Sequence, residues 1–559
     1  MTYGTPSRPG TILSVSIALL ALFGGPAVIG AALGARGEAA APTPRLFAAS
    51  DACLACHNGL VTPSGEDVSI GSQWRASIMA NSARDPYWQA AVRREIMDFP
   101  MAADAIQDEC SVCHMPMSRT TERAAGGLGR IFAHLPIGKA ETELDVLAAD
   151  GVSCTLCHQV EPDNFGTESS FTGGFIIDTT LPFEHRKAYG PFVVDTGRAS
   201  VMHSATGFIP TPTDHLIRSE LCATCHTLYT HPRGPDGEVI GRFPEQVPYL
   251  EWLESEFRGV QSCQDCHMGD VVEEMPISSV LGQPRPGLSR HVFTGGNSFM
   301  LRVLDRYRDE LGVIAPPDEL EASARRTDAF LQTESAELVV EAGVVGDGAG
   351  SDVLEAVVTV RNLTGHKLPT AYPSRRAWHH VTVLDAAGAV VFESGAVNDD
   401  ASIVGNDNDA DPTRYEPHYE VIDSPDQVQI YEPILVGPQG QVTTGLLTAV
   451  DYAKDNRLLP RGFDKATAHP DAAVHGRALA DPDFVGGEDR VRYRIEVSGR
   501  AAPFRVEAKL WYQPIGFRWA HNLERYDAPE TRRFLTYYAS LTPAASVVLA
   551  RASAIVPAR

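Results

Sequence analysis

The chain has 559 residues, 43% of them hydrophobic, enough for an ordinary buried core and for more than one domain. Its formal charge of −24 argues against nucleic acid and anionic membrane surfaces, both of which attract basic patches. An acid excess on this composition reads as a soluble surface, or as one that steers the protein towards a basic redox partner.

Arg8 precedes the apolar run "TILSVSIALLALFGGPAVIGAALGA", and the small residues "EAAA" follow it. Residues 1–41 are therefore expected to be a cleaved signal peptide. An uncleaved N-terminal anchor that tethers the chain to the membrane is the alternative, since the apolar run is long but broken at Gly24, Gly25 and Pro26. Either way the remainder is exported.

From residue 42 to 299 the cysteines set the argument. All ten of them fall into five copies of one pattern, "CLACH", "CSVCH", "CTLCH", "CATCH" and "CQDCH". In C-x-x-C-H each thiol adds to a haem vinyl group and the adjacent histidine ligates iron. One copy would leave zinc binding open, because imidazole and thiolate both suit zinc. Neither a zinc ribbon nor a dithiol exchanger requires that histidine five times over, and a disulfide framework would compete for the same sulfur atoms. Five covalent c-type haems are expected, on Cys53 and Cys56, Cys110 and Cys113, Cys154 and Cys157, Cys222 and Cys225, and Cys263 and Cys266. Their irons would be held by His57, His114, His158, His226 and His267.

Each iron takes a second axial ligand unless it binds substrate. The candidates are His134, His185, His203, His215, His231 and His291, with His366 further on. His291 is the strongest: it follows the last motif in "SRHVFTGGNSF", where Gly295 and Gly296 let the backbone turn closely against a flat macrocycle. Met115, Met117 and Met268 sit just behind motif histidines, too near the proximal side to cross over, and read as packing residues. Helical segments are expected at "WRASIMANSARDPYWQAAVRREI" (74–96) and "QVPYLEWLESEF" (246–257), between glycine- and proline-rich loops.

Residues 300–335 read as a helical linker, two helices separated by the prolines of "IAPPD". Residues 336–559 then alternate apolar and polar positions in "AELVVEAGVV", "VLEAVVTVRN", "HHVTVLDA", "AVVFES", "RVRYRIEVSG" and "FRVEAKLWYQ". That is the pattern of an antiparallel β-sandwich-like domain. The expected fold class is α+β: a haem-packed, mostly helical and loop domain, the linker, and the β domain.

Three segments of the β domain carry further signals. "NLTGHKLPTAYPSRR" puts His366 in a constrained loop after a strand, with Arg375 and Arg376 as candidate partners for haem propionates. "NDNDADP" (406–412) alternates the oxygen ligands that calcium prefers, without the spacing of an EF-hand, and an acidic turn is the alternative. "KDNRLLPRGFD" (454–464) has no evident chemistry and reads as a structural loop.

"ECSVCHMPM", "DGVSCTLCHQV", "YLEWLESEFRGVQSCQDCHM", "HVFTGGNSFM", "NLTGHKLPTAYPSRRAW" and "KDNRLLPRGFD" together make nearly the whole chain resemble a family of exported multihaem c-type cytochromes of bacteria. The resemblance implies electron transfer in the periplasm or at the cell surface, with other cytochromes, redox proteins or quinol-linked donors as partners. The pentahaem ammonia-forming nitrite reductases have a similar haem count, but their catalytic haem usually carries lysine where all five motifs here keep histidine. An electron carrier is the first reading; a reductase of a small nitrogen or sulfur oxyanion, with one five-coordinate haem, is the second. Five distal ligands would make a wire, four a candidate active site.

Overall fold

Aspartate and proline decide where the helices of the N-terminal half begin. The stretch expected as one helix over 74–96 is two: Ile70–Arg75 ends in a run of turns, and Pro86–Asp98 starts afresh. The Asp85 side chain accepts from the Tyr87 and Trp88 N–H groups, and Pro86 fills the first helical position, where its missing donor costs nothing. The second expected helix is Pro248–Leu253. The computed structural model describes residues 43–346 and 352–558, so the expected signal peptide or anchor, residues 1–41, lies outside the described residues. Among the described residues no helix is long and apolar enough to cross a membrane.

The segment expected as a linker forms helices Ser298–Arg306, Arg308–Leu311 and Pro317–Glu334. Its role is more than connection. Phe299, Met300, Leu301, Val303 and Leu304 are buried in one apolar cluster with Tyr87 and Ala90 before them and Phe534, Tyr537 and Tyr538 after them. The last three belong to Pro529–Ser540, a helix the alternating pattern did not disclose, which packs on Pro86–Asp98.

Beside a small three-stranded sheet of Val442–Thr443, Pro433–Val436 and Asp451–Asp455, the longer C-terminal strands form two sheets. One runs in the order Ile430–Tyr431, Arg376–Leu384, Phe504–Gln513, Val547–Val556, with Val390–Ser394 also paired to Arg376–Leu384. The other runs Ala336–Gly346, Asp352–Asn362, Glu488–Glu496, Val421–Ile422, antiparallel except at its short last pair. Alternation does what it should: Val491, Tyr493 and Ile495 are buried while Arg490, Arg492 and Arg494 between them are exposed. Leu354, Ala356, Val358 and Val360 from one sheet share a core with Val381, Val383, Val506 and Leu510 from the other. Between Asp352–Asn362 and Arg376–Leu384 the chain leaves the sheets in the loop 363–375, which reaches the site described next.

Candidate haem-binding cavity

Each C-x-x-C-H lies on or at the end of a short helix: Asp51–Leu54, Ala103–His114, Cys154–Cys157, Ser219–His226 and Cys263–His267. Helical residues three apart share a face, so the two thiols of a motif point to one side. The last helix carries its own start signal, because Ser262 and Asp265, inside "SCQDCH", form a reciprocal capping box.

The five helices surround one cavity of about 1320 Å³, larger than the ~300–1,000 Å³ of ordinary small-molecule sites. Nine of the ten cysteines, all but Cys56, and all five motif histidines line it. Thiols of different motifs lie close enough to act on one another's charge, Cys53 with Cys154, Cys113 with Cys225 and Cys222 with Cys263. Cys157 adds its influence on Cys222, tying the third motif to the fourth. The order is thus first, third, fourth, with the second and fifth motifs branching from the fourth. No disulfide forms among the described residues. Burial pushes the Cys157 thiol up to about 12 and Cys110 well above its usual value, whereas Cys263 is lowered to about 7 by Cys222 beside it.

The imidazoles fit iron ligation. Nδ1–H of His57 donates to the Ile277 carbonyl at 2.6 Å, His114 to Ser82 at 3.1 Å, His158 to Tyr189 at 2.6 Å and His267 to Thr294 at 2.6 Å. Such a bond fixes the tautomer and leaves Nε2 unprotonated for a metal. Burial lowers His114 and His226 to about 4, so both are neutral at pH 7, as ligands must be. His226 has no carbonyl partner of this kind among the described residues. Trp88 stacks on the His114 ring at 4.3 Å and 4°, which further fixes its orientation.

Two histidines outside the motifs share the cavity and the pattern. His291 donates to the Ser289 carbonyl at 3.0 Å, and burial, with help from His158 and His57 in the same cavity, lowers it to about 4. His366 donates to the Lys367 carbonyl at 2.8 Å and lies parallel to His267, the ring planes 7° apart and the ring centres 6.3 Å apart. That spacing suits two imidazoles reaching one metal ion from opposite sides with bonds of about 2 Å.

A buried ionic network holds the His366 loop. Arg457 forks onto Asp455 with two bonds of 2.8 Å and reaches Glu251 at 2.8 Å. Asp455 also takes the Lys367 ammonium at 2.7 Å, while the second Glu251 oxygen accepts the Lys367 N–H and the Thr370 hydroxyl. Asn362 bonds the His366 and Leu458 carbonyls. Burial alone would raise the Asp455 carboxyl, but Arg457 and Lys367 hold it well below the usual carboxylate range. "KDNRLLPRGFD" is therefore the clamp on "GHKLPT", a role its residues did not disclose.

The other candidate ligands stand apart from this cavity, and most have partners of their own. Both ring nitrogens of His215 are bonded, to Thr213 and to the Val160 carbonyl, which leaves none for iron. His134 is paired with Asp145 at 2.8 Å, and His231 with Glu109 at 2.8 Å. His203 bonds the Glu184 carbonyl, and His185 is exposed. Met115 and Met117 are buried in apolar clusters, whereas Met268 does line the cavity.

Of the two arginines expected at propionates, Arg375 lines the cavity but Arg376 is buried in a fork onto Asp409. The same fork corrects the calcium reading of 406–412, because both Asp409 oxygens are occupied and Asp407 pairs with Arg414. Sequence reasoning missed a third group, His418, Asp481 and Asp489, whose ligand atoms lie within 4.8 Å of one another. His418 Nε2 already bonds Asp481, and Gln429, Asn456, Tyr431 and the backbone of Asp483 and Arg490 bond the other polar atoms of the three residues, so the cluster reads as a satisfied polar knot in the core.

The sequence matches no family model and no curated protein. Among solved structures it aligns with the penta-heme cytochrome c552 from Thermochromatium tepidum at 16% identity and a TM-score of 0.50, over 91% of this chain and 98% of that one. The likeness supports a multihaem cytochrome-like fold. At this identity it speaks for architecture alone.

Proposed function

We propose that the protein is an exported pentahaem c-type cytochrome that carries electrons in the periplasm or at the cell surface, between redox proteins or quinol-linked donors. The observation that carries this reading is the cavity itself: nine of the ten motif cysteines and all five motif histidines gathered around one largely apolar space. When bound, haem supplies one-electron chemistry with little ligand rearrangement. The protein's part is to attach it through the ten cysteines, to orient Nε2 through the carbonyl bonds, to exclude water with an apolar wall, and to fix His366 through the Arg457 network. The adjacency of the motifs supports a path from first to third to fourth, branching to the second and fifth.

One observation favours the second reading, a reductase. Among the described residues only two non-motif histidines, His291 and His366, line the cavity that five motif histidines share. Electron paramagnetic resonance of the oxidised protein separates the two. Purely low-spin signals support a carrier; a high-spin signal that responds to nitrite, hydroxylamine or sulfite supports a reductase.

A further inference from the structure

The cavity wall beside the second motif holds an acid that no partner claims. Glu245, in the strand Phe243–Gln246, lines the cavity and is 3% exposed, yet its carboxyl has no hydrogen-bond partner among the described residues. Its neighbours differ: Glu95 accepts from the Leu446 and Leu447 N–H groups, and Glu109 is taken by His231 and Arg233. An unpartnered buried acid is costly and calls for an explanation.

Its surroundings point to a ligand. Glu245 lines the same cavity wall as Cys110 and Cys113 and is near enough to raise both thiols, so it stands near the second motif. The hydrogen-bonded phenols of Tyr87 and Tyr372 line the same cavity. The two free histidines serve elsewhere, His291 near His158 and His57, and His366 against His267. Met79 belongs to the segment whose Ser82 carbonyl bonds the Nδ1 side of His114. Met202 is on helix Thr196–Thr206, which packs on the first motif. Burial first, then the Glu95 and Glu109 carboxylates, push Glu245 up to about 8, so at pH 7 it carries a proton.

We propose that the haem anchored by Cys110 and Cys113 takes an exogenous ligand, a small oxygen-bearing molecule, and that Glu245 donates the hydrogen bond and the proton it needs. This rests on the reductase reading. Removing one oxygen from such a molecule consumes two electrons and two protons; the bond to oxygen breaks and the oxygen leaves as water. The electrons are those a donor protein passes into the haem chain. Glu245 gives one proton, is recharged from solvent, and gives the second.

Carbon monoxide bound to the dithionite-reduced holoprotein is the test, read by infrared spectroscopy between pH 7 and 9. The wild type should bind it, with a C–O stretch that shifts as Glu245 loses its proton. Glu95, Glu109, Tyr87, Tyr372 and Tyr452 face the same region and stay in place in Glu245→Gln, so the shift should vanish in that variant. Should Glu245→Gln fail to load haem, Glu245→Asp keeps the acid and should move the stretch while preserving a pH-dependent shift. Binding with a stretch indifferent to pH and to both variants would overturn the role of Glu245 but leave an open haem standing. No binding at all, in protein shown by mass to hold its haems, would overturn the open haem too and leave a carrier.

Discussion

Arg457→Met tests whether the buried network positions His366. The guanidinium makes two hydrogen bonds to Asp455 and an ion pair with Glu251, and Arg457 is only 5% exposed. Removing one partner of a buried ion pair costs about 3–5 kcal/mol, because the remaining charge stays buried without compensation. Here two carboxylates lose a partner, although Lys367 still serves Asp455 and its N–H, with Thr370, still serves Glu251. A loss near ~4 kcal/mol is expected, about a thousandfold in the unfolding constant. Guanidinium titration followed by far-ultraviolet circular dichroism reads that loss. The visible spectrum reads its local consequence: the 363–371 loop loosens, and one haem should gain high-spin character. Arg457→Lys, which keeps the charge without the fork, should fall between. A loss below ~1 kcal/mol with an unchanged spectrum would show that something else holds the loop.

His366→Ala should convert one low-spin haem to a high-spin or water-bound form and shift its potential while every haem stays attached; His291→Ala should do the same to a different haem, and additive spectra in the double variant would show that the two are distinct. A pH series of urea titrations on wild type and His134→Gln should isolate the pair with Asp145. Burial opposes the charged imidazole, but Glu122 and Asp145 outweigh it and raise His134, so its contribution is full below ~6.5 and fades as pH rises through the raised value. The bond from His134 lowers Asp145, whose contribution is present above ~3.9 and fades as pH falls through the lowered value. The two forms should therefore differ most between about pH 4 and 6.5 and converge on the alkaline side; a difference constant from pH 5 to 9 would contradict the pairing.

What could be read from the chain was what chemistry keeps local. Two thiols and an imidazole within five residues form one local group whatever surrounds them, so all five motifs were legible, and the structure gathers them around one cavity. Alternation made the strands legible for the same reason. Distal ligation was not local. His215 and His291 look alike in sequence, and only the long-range partners, a Thr213 hydroxyl and the Val160 carbonyl for one and a cavity wall for the other, tell them apart. "NDNDADP" resembled a calcium site because the guanidinium that occupies Asp409 comes from a strand 33 residues away. The break in 74–96 was legible in Asp85-Pro86, a start signal overridden by helical periodicity on both sides. Glu245 gave no signal at all, since an acid in "FPEQVP" is unremarkable until the strand turns it into a cavity without a partner.

Intact mass of the protein matured in a host that attaches c-type haems tests the central claim most directly. Five covalent haems per chain are expected, with all ten cysteines consumed and no thiol left to alkylate. Fewer than five in fully matured protein, or cysteines that remain reactive, would contradict the account.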